Sequence, residues 1–396
     1  MKQALTFVPP VGSACECQLC VDTLDSAKEL HYEGKYLQSI LLFIDGLGRN
    51  LRSQYGDAVE RKFSIPHGSV LINIELTDSE FYIYTDFLRL PVDSGKRVAM
   101  LRAVGELNSR RLMLARVVKS GDNLRIEYHC PLEQTHTYKL YGVVNNICYV
   151  ADRYDDELCL KFGAERITVP QTKLYSAEEV DRIYDALQRT GRYAIDTAQE
   201  LTKERNHMGA WLMMSTVFFQ FIYYADPKGM LAVEVDKALT DLDDKLPTSE
   251  QVTRAIRLLE ELMRRDKGEL AKGLYEAHVL MTQKNRASLQ DIQEGMEKGY
   301  EEATQSIQSG SYERVVLRLL HVIYRAYNHN IIPPQIDKTL VIALQATSDT
   351  SIDMAAHILY RAVDRIVKAS SLESVEIVEE QSLWSKVRGL FKRFFN

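Results

Sequence analysis

The stretch "GAWLMMSTVFFQFIYYA", Gly209 to Ala225, runs for 17 residues without a charge. A helix built from it has no solvated face, so other chain or lipid must surround it. Its length lies at the lower edge of a bilayer span, and Ser215, Thr216 and Gln220 interrupt it. We read it as the central buried helix of an all-α domain, with a membrane span as the rival. The surrounding sequence fits the first reading, because almost everything after Pro170 has helical spacing. Ser176-Ala-Glu-Glu179 and Thr248-Ser-Glu-Gln251 read as capping boxes that open helices. Pro227, Pro247, Pro333 and Pro334 mark breaks.

The N-terminal half changes period twice. Leu24, Ala27 and Leu30 keep helical spacing, Gly34 breaks it, and Ile40, Leu41, Phe43, Ile44 and Leu47 resume it. Ala27, Gly34, Tyr36 and Phe43 of this hairpin resemble one tetratricopeptide unit. Gly191-Arg-Tyr193 and Gly310-Ser-Tyr312 echo its turn, and Ala303, Gly310, Tyr312 and Leu319 repeat its full spacing. The irregular intervals exclude a tandem array, and Gly-x-Tyr is also an ordinary helix–helix turn.

From residue 64 to 168 the period is two, then helical, then two, then helical. "SVLINIELTDSEFYIYTDFLRLP" alternates about an Asp78-Ser79 turn. "GKRVAMLRAVGELNSRR" is helical through Val98, Leu101, Val104 and Leu107. "LMLARVVKSGDNLRIEYHCPL" is a second hairpin turning at Gly121-Asp122-Asn123. The run from Thr135 to Phe162 is helical through Tyr138, Tyr141, Val144, Ile147, Cys148 and Ala151. Two strands, helix, two strands, helix, with Leu88-Arg-Leu-Pro91, a helix from Arg97 and Leu107-Asn108, resembles the YbjN-like branch of the type III secretion chaperone-like fold. That resemblance implies a small antiparallel sheet flanked by helices that binds proteins or forms a homodimer. It implies no catalytic residue.

The fold class expected is therefore α+β: a secretion-chaperone-like sheet domain followed by an all-α helical domain. The expected divisions are a helical hairpin (1–55), the α+β domain (56–169), the helical domain (170–369), an acidic linker (370–381) and a basic tail (382–396). A net charge of −6 argues against a generally basic nucleic-acid binder. Residues 1–17 lack a secretory-signal pattern, since Pro9 and Pro10 interrupt a short apolar part. The expected compartment is the bacterial cytoplasm, where six cysteines stay reduced.

Three of those cysteines, Cys15, Cys17 and Cys20, fall within six residues. Zinc takes four ligands, usually as two chelating pairs. Cys17-x-x-Cys20 is one pair, and no second pair follows. The remote candidates are His31, His67, His129 and Cys130. The preferred reading is a small packing stripe or free thiols at a helix start, continued by Leu24, and no cofactor is expected. A zinc-binding sensor or enzyme is the alternative. Nucleophile-elbow, phosphate-loop, dinucleotide and His-Glu-x-x-His motifs are missing from the sequence, which favours a non-enzyme. The acidic runs Asp152, Asp155, Asp156, Glu157 and Asp241, Asp243, Asp244 read as solvated surface.

The tail carries the strongest functional pattern. Leu383, Trp384, Val387, Leu390, Phe391, Phe394 and Phe395 make one helical stripe. Lys386, Arg388, Lys392 and Arg393 oppose it, with no acidic residue among the last fifteen. This is the pattern of a helix lying in an anionic membrane interface. A partner protein's groove or the chain's own helical domain are the other takers. The chain is thus expected to be a protein-binding adaptor, cytoplasmic and peripheral on the inner membrane. Deleting 382–396 should abolish flotation with anionic vesicles, since each basic residue contributes about 1 kcal/mol there. Equal flotation of both chains would remove the membrane reading.

Overall fold

The computed structural model describes residues 7–11, 19–57, 61–243, 245–348 and 350–375. It is an α+β protein with a small antiparallel sheet and many helices. Helices α1 (Val21–Tyr32), α2 (Tyr36–Leu47) and α3 (Leu51–Tyr55) lead into strands β1 (Gly56–Asp57), β2 (Lys62–His67), β3 (Val70–Leu76) and β4 (Glu80–Arg89). Helix α4 (Ser94–Arg110), strands β5 (Arg116–Ser120) and β6 (Asn123–Pro131), helix α5 (Thr137–Phe162) and strand β7 (Glu165–Arg166) complete this half.

The sheet order is β1-β2-β3-β4-β6-β5, with β7 pairing β4 at Leu88 and Arg89. The sheet holds one strand more before α4 than the two-strand expectation, plus the short β1. Strand β2 was obscured by Pro66, which a central strand rejects. It is tolerated because β1 pairs β2 only at Lys62 and Phe63, so Pro66 lies on an open edge. Helix α4 also differs from expectation: it starts at Ser94, capped by Asp93, and Val98 is exposed while Met100, Val104 and Leu107 are buried.

The hairpin α1–α2 shares one buried cluster with the sheet, α4 and α5. Ala27 is fully buried, and Ser39 Oγ donates to its carbonyl at 2.6 Å. Gly34 turns the chain at φ +75°. The resemblance of the echo at Ala303 extends to structure, with Ala303 and Leu319 fully buried and Gly310 at φ +71°. Gly191 differs: it lies inside one continuous helix, where a Cβ would meet Met263 Sδ at 2.6 Å. Its role is close helix packing, not a turn.

After strand β8 (Thr172–Leu174) come α6 (Ala177–Lys203), α7 (His207–Ala225), α8 (Gly229–Leu242), α9 (Thr248–Met263) and α10 (Lys267–Ala271). Strands β9 (Tyr275–Ala277) and β10 (Asn285–Arg286) precede α11 (Leu289–Gln308), α12 (Tyr312–His329), β11 (Asn330–Ile331), α13 (Pro334–Thr347) and α14 (Ile352–Val367). Strand β8 pairs β9, and β10 pairs β11. The Ser176–Glu179 capping box forms; α9 instead has Pro247 as N-cap and no side-chain cap bond.

Among the described residues three buried clusters fill this half, one among α6–α10, one among α11–α14 and a small one between α13 and α14. The chargeless run is α7 and serves the first two: Met214, Val217, Phe218 and Phe221 face the first, Phe219 the second. Its polar residues find partners. Thr216 Oγ1 donates to Leu212 O at 2.6 Å, Ser215 Oγ meets His321 Nδ1 at 3.1 Å, and Gln220 reaches Tyr324 Oη at 3.4 Å. Among the described residues no helix is long and apolar enough to cross a membrane.

The two halves meet at the β2–β3 turn. Gly68, at φ +55°, donates its N–H to His278 O at 2.8 Å. Ser69 N–H reaches Asp152 Oδ1 at 2.6 Å, and Ser69 Oγ reaches Asp155 Oδ2 at 2.6 Å. Arg166 Nε donates to Asp155 Oδ2 at 2.9 Å, and Arg153 pairs with Asp236 at 2.5 Å. Asp152, Asp155 and Asp156 of the first acidic run are therefore tied to the β2–β3 turn and Arg166 rather than solvated, while Glu157 pairs with Lys161 one turn on. His67 Nδ1 accepts from the Leu280 and Met281 N–H groups at 3.2 and 3.5 Å, so the neutral ring carries its proton on Nε2.

Burial pushes the His67 pKa down to about 4, against the pull of Asp152. Burial pushes the Asp155 pKa up to about 6, against the pull of Arg166. A depressed histidine withdraws stability as pH falls from its unfolded value near 6.5 through 4; a raised carboxyl does the reverse between about 6 and 4. His67→Asn should therefore gain about 3 kcal/mol relative to the native chain as pH drops from 7 to 4. Urea midpoints at each pH report this, and parallel pH curves for the two proteins would refute it.

Candidate functional site

A cavity of about 760 Å³ opens between the two helical layers, lined by α6, α7, α11, α12, the α13–α14 corner and Phe7. Each long helix contributes a stripe at helical spacing. On α6 it is Thr190, Tyr193, Ala194, Thr197, Leu201 and Glu204; on α7 it is Leu212, Met213, Thr216, Val217 and Gln220. Val316, Leu317 and Leu320 of α12 stand opposite. The layers part here because α7 bridges the two larger clusters, leaving its remaining side as the floor.

Three threonines that line the cavity turn their hydroxyls to their own helices. Thr190 Oγ1 donates to Ala186 O at 2.8 Å, Thr216 Oγ1 to Leu212 O, and Thr347 Oγ1 to Leu344 O at 2.7 Å. Satisfied in this way, they offer methyl groups to an occupant.

The rim is charged. Glu200, Glu204, Glu302 and Glu313 line it with Arg314 and Arg318, four carboxylates against two guanidinium groups. Arg318 is paired with Glu302. Burial raises the pKa of Tyr193 against a hydrogen bond with Thr197, and Glu313 and Glu200 add to the rise. Phe7 closes one end: its N–H donates to Ser348 Oγ at 2.8 Å, and its ring lies 6.2 Å from that of Tyr223.

The open face of the sheet is a second polar surface. Tyr82 and Tyr84 stack at 4.9 Å, Arg125 lies 4.1 Å over Tyr84, and Arg125 pairs with Asp86 at 2.7 Å. Tyr82 Oη donates to Glu127 at 2.5 Å and Tyr84 Oη to Glu75 at 2.9 Å. Burial, then Glu75, pushes the Tyr84 pKa up to about 12. These groups satisfy one another, so the face offers a partner few unmet contacts.

The tail residues Leu383 to Phe395 lie outside the described residues, as do Cys15, Cys17 and Asp244. Cys20 is the N-cap of α1 and is an exposed free thiol, which fits the free-thiol reading and corrects the packing one; Leu24 and Ala27 are the buried residues of α1. Thr23 Oγ1 donates to Cys20 Sγ at 3.0 Å and lowers its pKa. His67 is buried at the junction of the two halves, and on β6 Cys130 is buried while His129 is exposed, on opposite sides of the strand. Among the described residues no three His, Cys, Asp or Glu side chains could hold a metal.

The Ser215–His321 pair is the nearest approach to a nucleophile and base. Both are buried, and the ring lies against Trp211 and Phe219. Burial, with Arg325 and Arg318, pushes the His321 pKa down to about 3. The pair joins α7 to α12 inside the core. No family model matches the chain, and no curated protein matches it.

Sequence reading missed the cavity, because its walls come from helices a hundred residues apart. The only local signal was threonine at helical spacing on α6. For the cysteines, protein prepared without chelator should carry far less than one zinc per chain, unchanged in Cys17→Ser. Near-stoichiometric zinc lost in that variant would restore the zinc reading.

Proposed function

We propose that this chain is a non-enzymatic protein-binding adaptor that seats an amphipathic helix in the groove between α6–α7 and α11–α12. One observation carries the reading: a cavity of about 760 Å³ with an apolar floor and a net acidic rim. Helix-in-groove recognition uses an apolar floor for affinity and rim charges for orientation. The preferred occupant has large apolar residues on one face and Lys or Arg on the other.

The sheet half is the secretion-chaperone-like part of this reading, supported by its antiparallel strands with α4 and α5. It is joined to the groove-bearing half through Gly68 and His278, His67 and Leu280, and Arg153 and Asp236. The tail, with its Trp/Phe stripe and four basic residues, attaches the adaptor reversibly to an anionic membrane surface. The cytoplasmic face of the inner membrane is its proposed location.

The test uses designed helical peptides with one apolar stripe and either a Lys or a Glu polar face. The full chain is assayed with its tail stripe intact and with the stripe broken by Trp384→Ser and Phe391→Ser, so that the chain's own amphipathic segment does not mask the result. The Lys-faced peptide should bind more tightly. Leu317→Asp in the groove should weaken it roughly tenfold, the cost of one lost apolar contact. No binding to either form would eliminate the groove as a docking site.

A further inference from the structure

We infer that the groove between α6–α7 and α12 is a docking site for the chain's own tail, Leu383 to Phe395, whose basic face meets Glu200, Glu204 and Glu313. The inference rests on the groove reading above and names the occupant.

Charge complementarity is the first argument. Glu200, Glu204 and Glu313 form no ion pair among the described residues, whereas Glu302 already holds Arg318. Glu200 on α6 and Glu313 on α12 line opposite walls of the same cavity, both exposed. Like charges drawn together at an apolar cleft favour a cationic occupant. The tail carries Lys386, Arg388, Lys392 and Arg393 and no acid within its last fifteen residues.

Length is the second argument. The α6 stripe from Thr190 to Glu204 extends over about 21 Å, and Leu383 to Phe395 as a helix extends over about 18 Å. Reach is the third. Val375, the last described residue, is buried in the α11–α14 cluster. Nearby, Gln293 Nε2 of α11 bonds the Ile366 and Ala369 carbonyls at the end of α14. From Gln293 to the groove-lining Gln305 is about 18 Å along α11. Residues 376–382 can span about 23 Å when extended.

One apolar stripe cannot be buried in the groove and in lipid together. Tail and groove therefore exclude each other's other ligands: a partner helix frees the tail for the membrane, and an anionic surface frees the groove for a partner. This is mutual release through a shared segment.

Tryptophan fluorescence tests it. The chain has two tryptophans, Trp211 in α7 and Trp384, so the difference between native and Trp384→Phe spectra isolates the tail without touching the core. Without lipid, Trp384 should emit at short wavelength and resist acrylamide several-fold better than in the free peptide 382–396. Glu200→Lys with Glu313→Lys, both on exposed positions, should expose it while the melting temperature holds. The Lys-faced peptide should bind the tail-broken chain roughly tenfold more tightly than the native one, because an occupied groove taxes a competitor.

Trp384 exposed without lipid, and protected only on anionic vesicles, would overturn the inference. Protection that survives the charge reversal would overturn it too, by placing the tail elsewhere. Equal peptide affinity for both chains removes the tail from the groove but leaves the groove reading standing. Peptide binding to neither chain removes the groove reading itself.

Discussion

The organisation of the helical half follows from one requirement, that α7, which has no charged face, be covered by helices on either side. Nineteen residues from His207 to Ala225 carry no Asp, Glu, Lys or Arg. Burying such a helix takes two layers, and the chain supplies α6, α8 and α9 on one side and α12, backed by α11 and α14, on the other. Hydrophobic burial drives the arrangement, at roughly 25 cal/mol for each Å² of apolar surface removed from water. The hydroxyls of Ser215 and Thr216 and the amide of Gln220 keep the helix from being a featureless rod. Their partners on α12 or within α7 set its rotation, because an unpaired polar group there costs about 1–3 kcal/mol.

How much was legible follows from the range of each interaction. The hairpin α1–α2 depends on Ala27, Gly34 and Phe43, neighbours along the chain, and reads directly. So do the β3–β4 and β5–β6 hairpins, whose alternation and turns are local. Strand β2 did not read, since Pro66 argues against a strand unless one knows that its edge is open. Gly191 misled because Gly-x-Tyr marks a turn in one context and a close helix crossing in another; only Met263, 72 positions later in the sequence, decides between them. The cluster at Asp152, Asp155 and Asp156 resembles solvated surface until Ser69 and Arg166 are brought to it. The cavity is the extreme case, because no single segment contains it.

At the junction between halves, the fold keeps two buried ionisable groups of opposite temper. His67 is held neutral and Asp155 is strained toward protonation, and acidification acts on them in opposite senses. The contact is thereby buffered across the mildly acidic range. Either group alone would make stability depend on pH between about 6 and 4.

The segment Phe7–Val11 has a consequence in time. Its Phe7 N–H bonds Ser348, 341 positions later, and its Val11 N–H bonds Tyr224 O at 3.1 Å. At 5–20 residues per second, Phe7 waits roughly 20 to 70 seconds after its own synthesis for Ser348 to be made. The earliest residues in this set are therefore among the last to be anchored. Because Phe7 lines the groove, that part of its wall is completed only after Ser348 has been made.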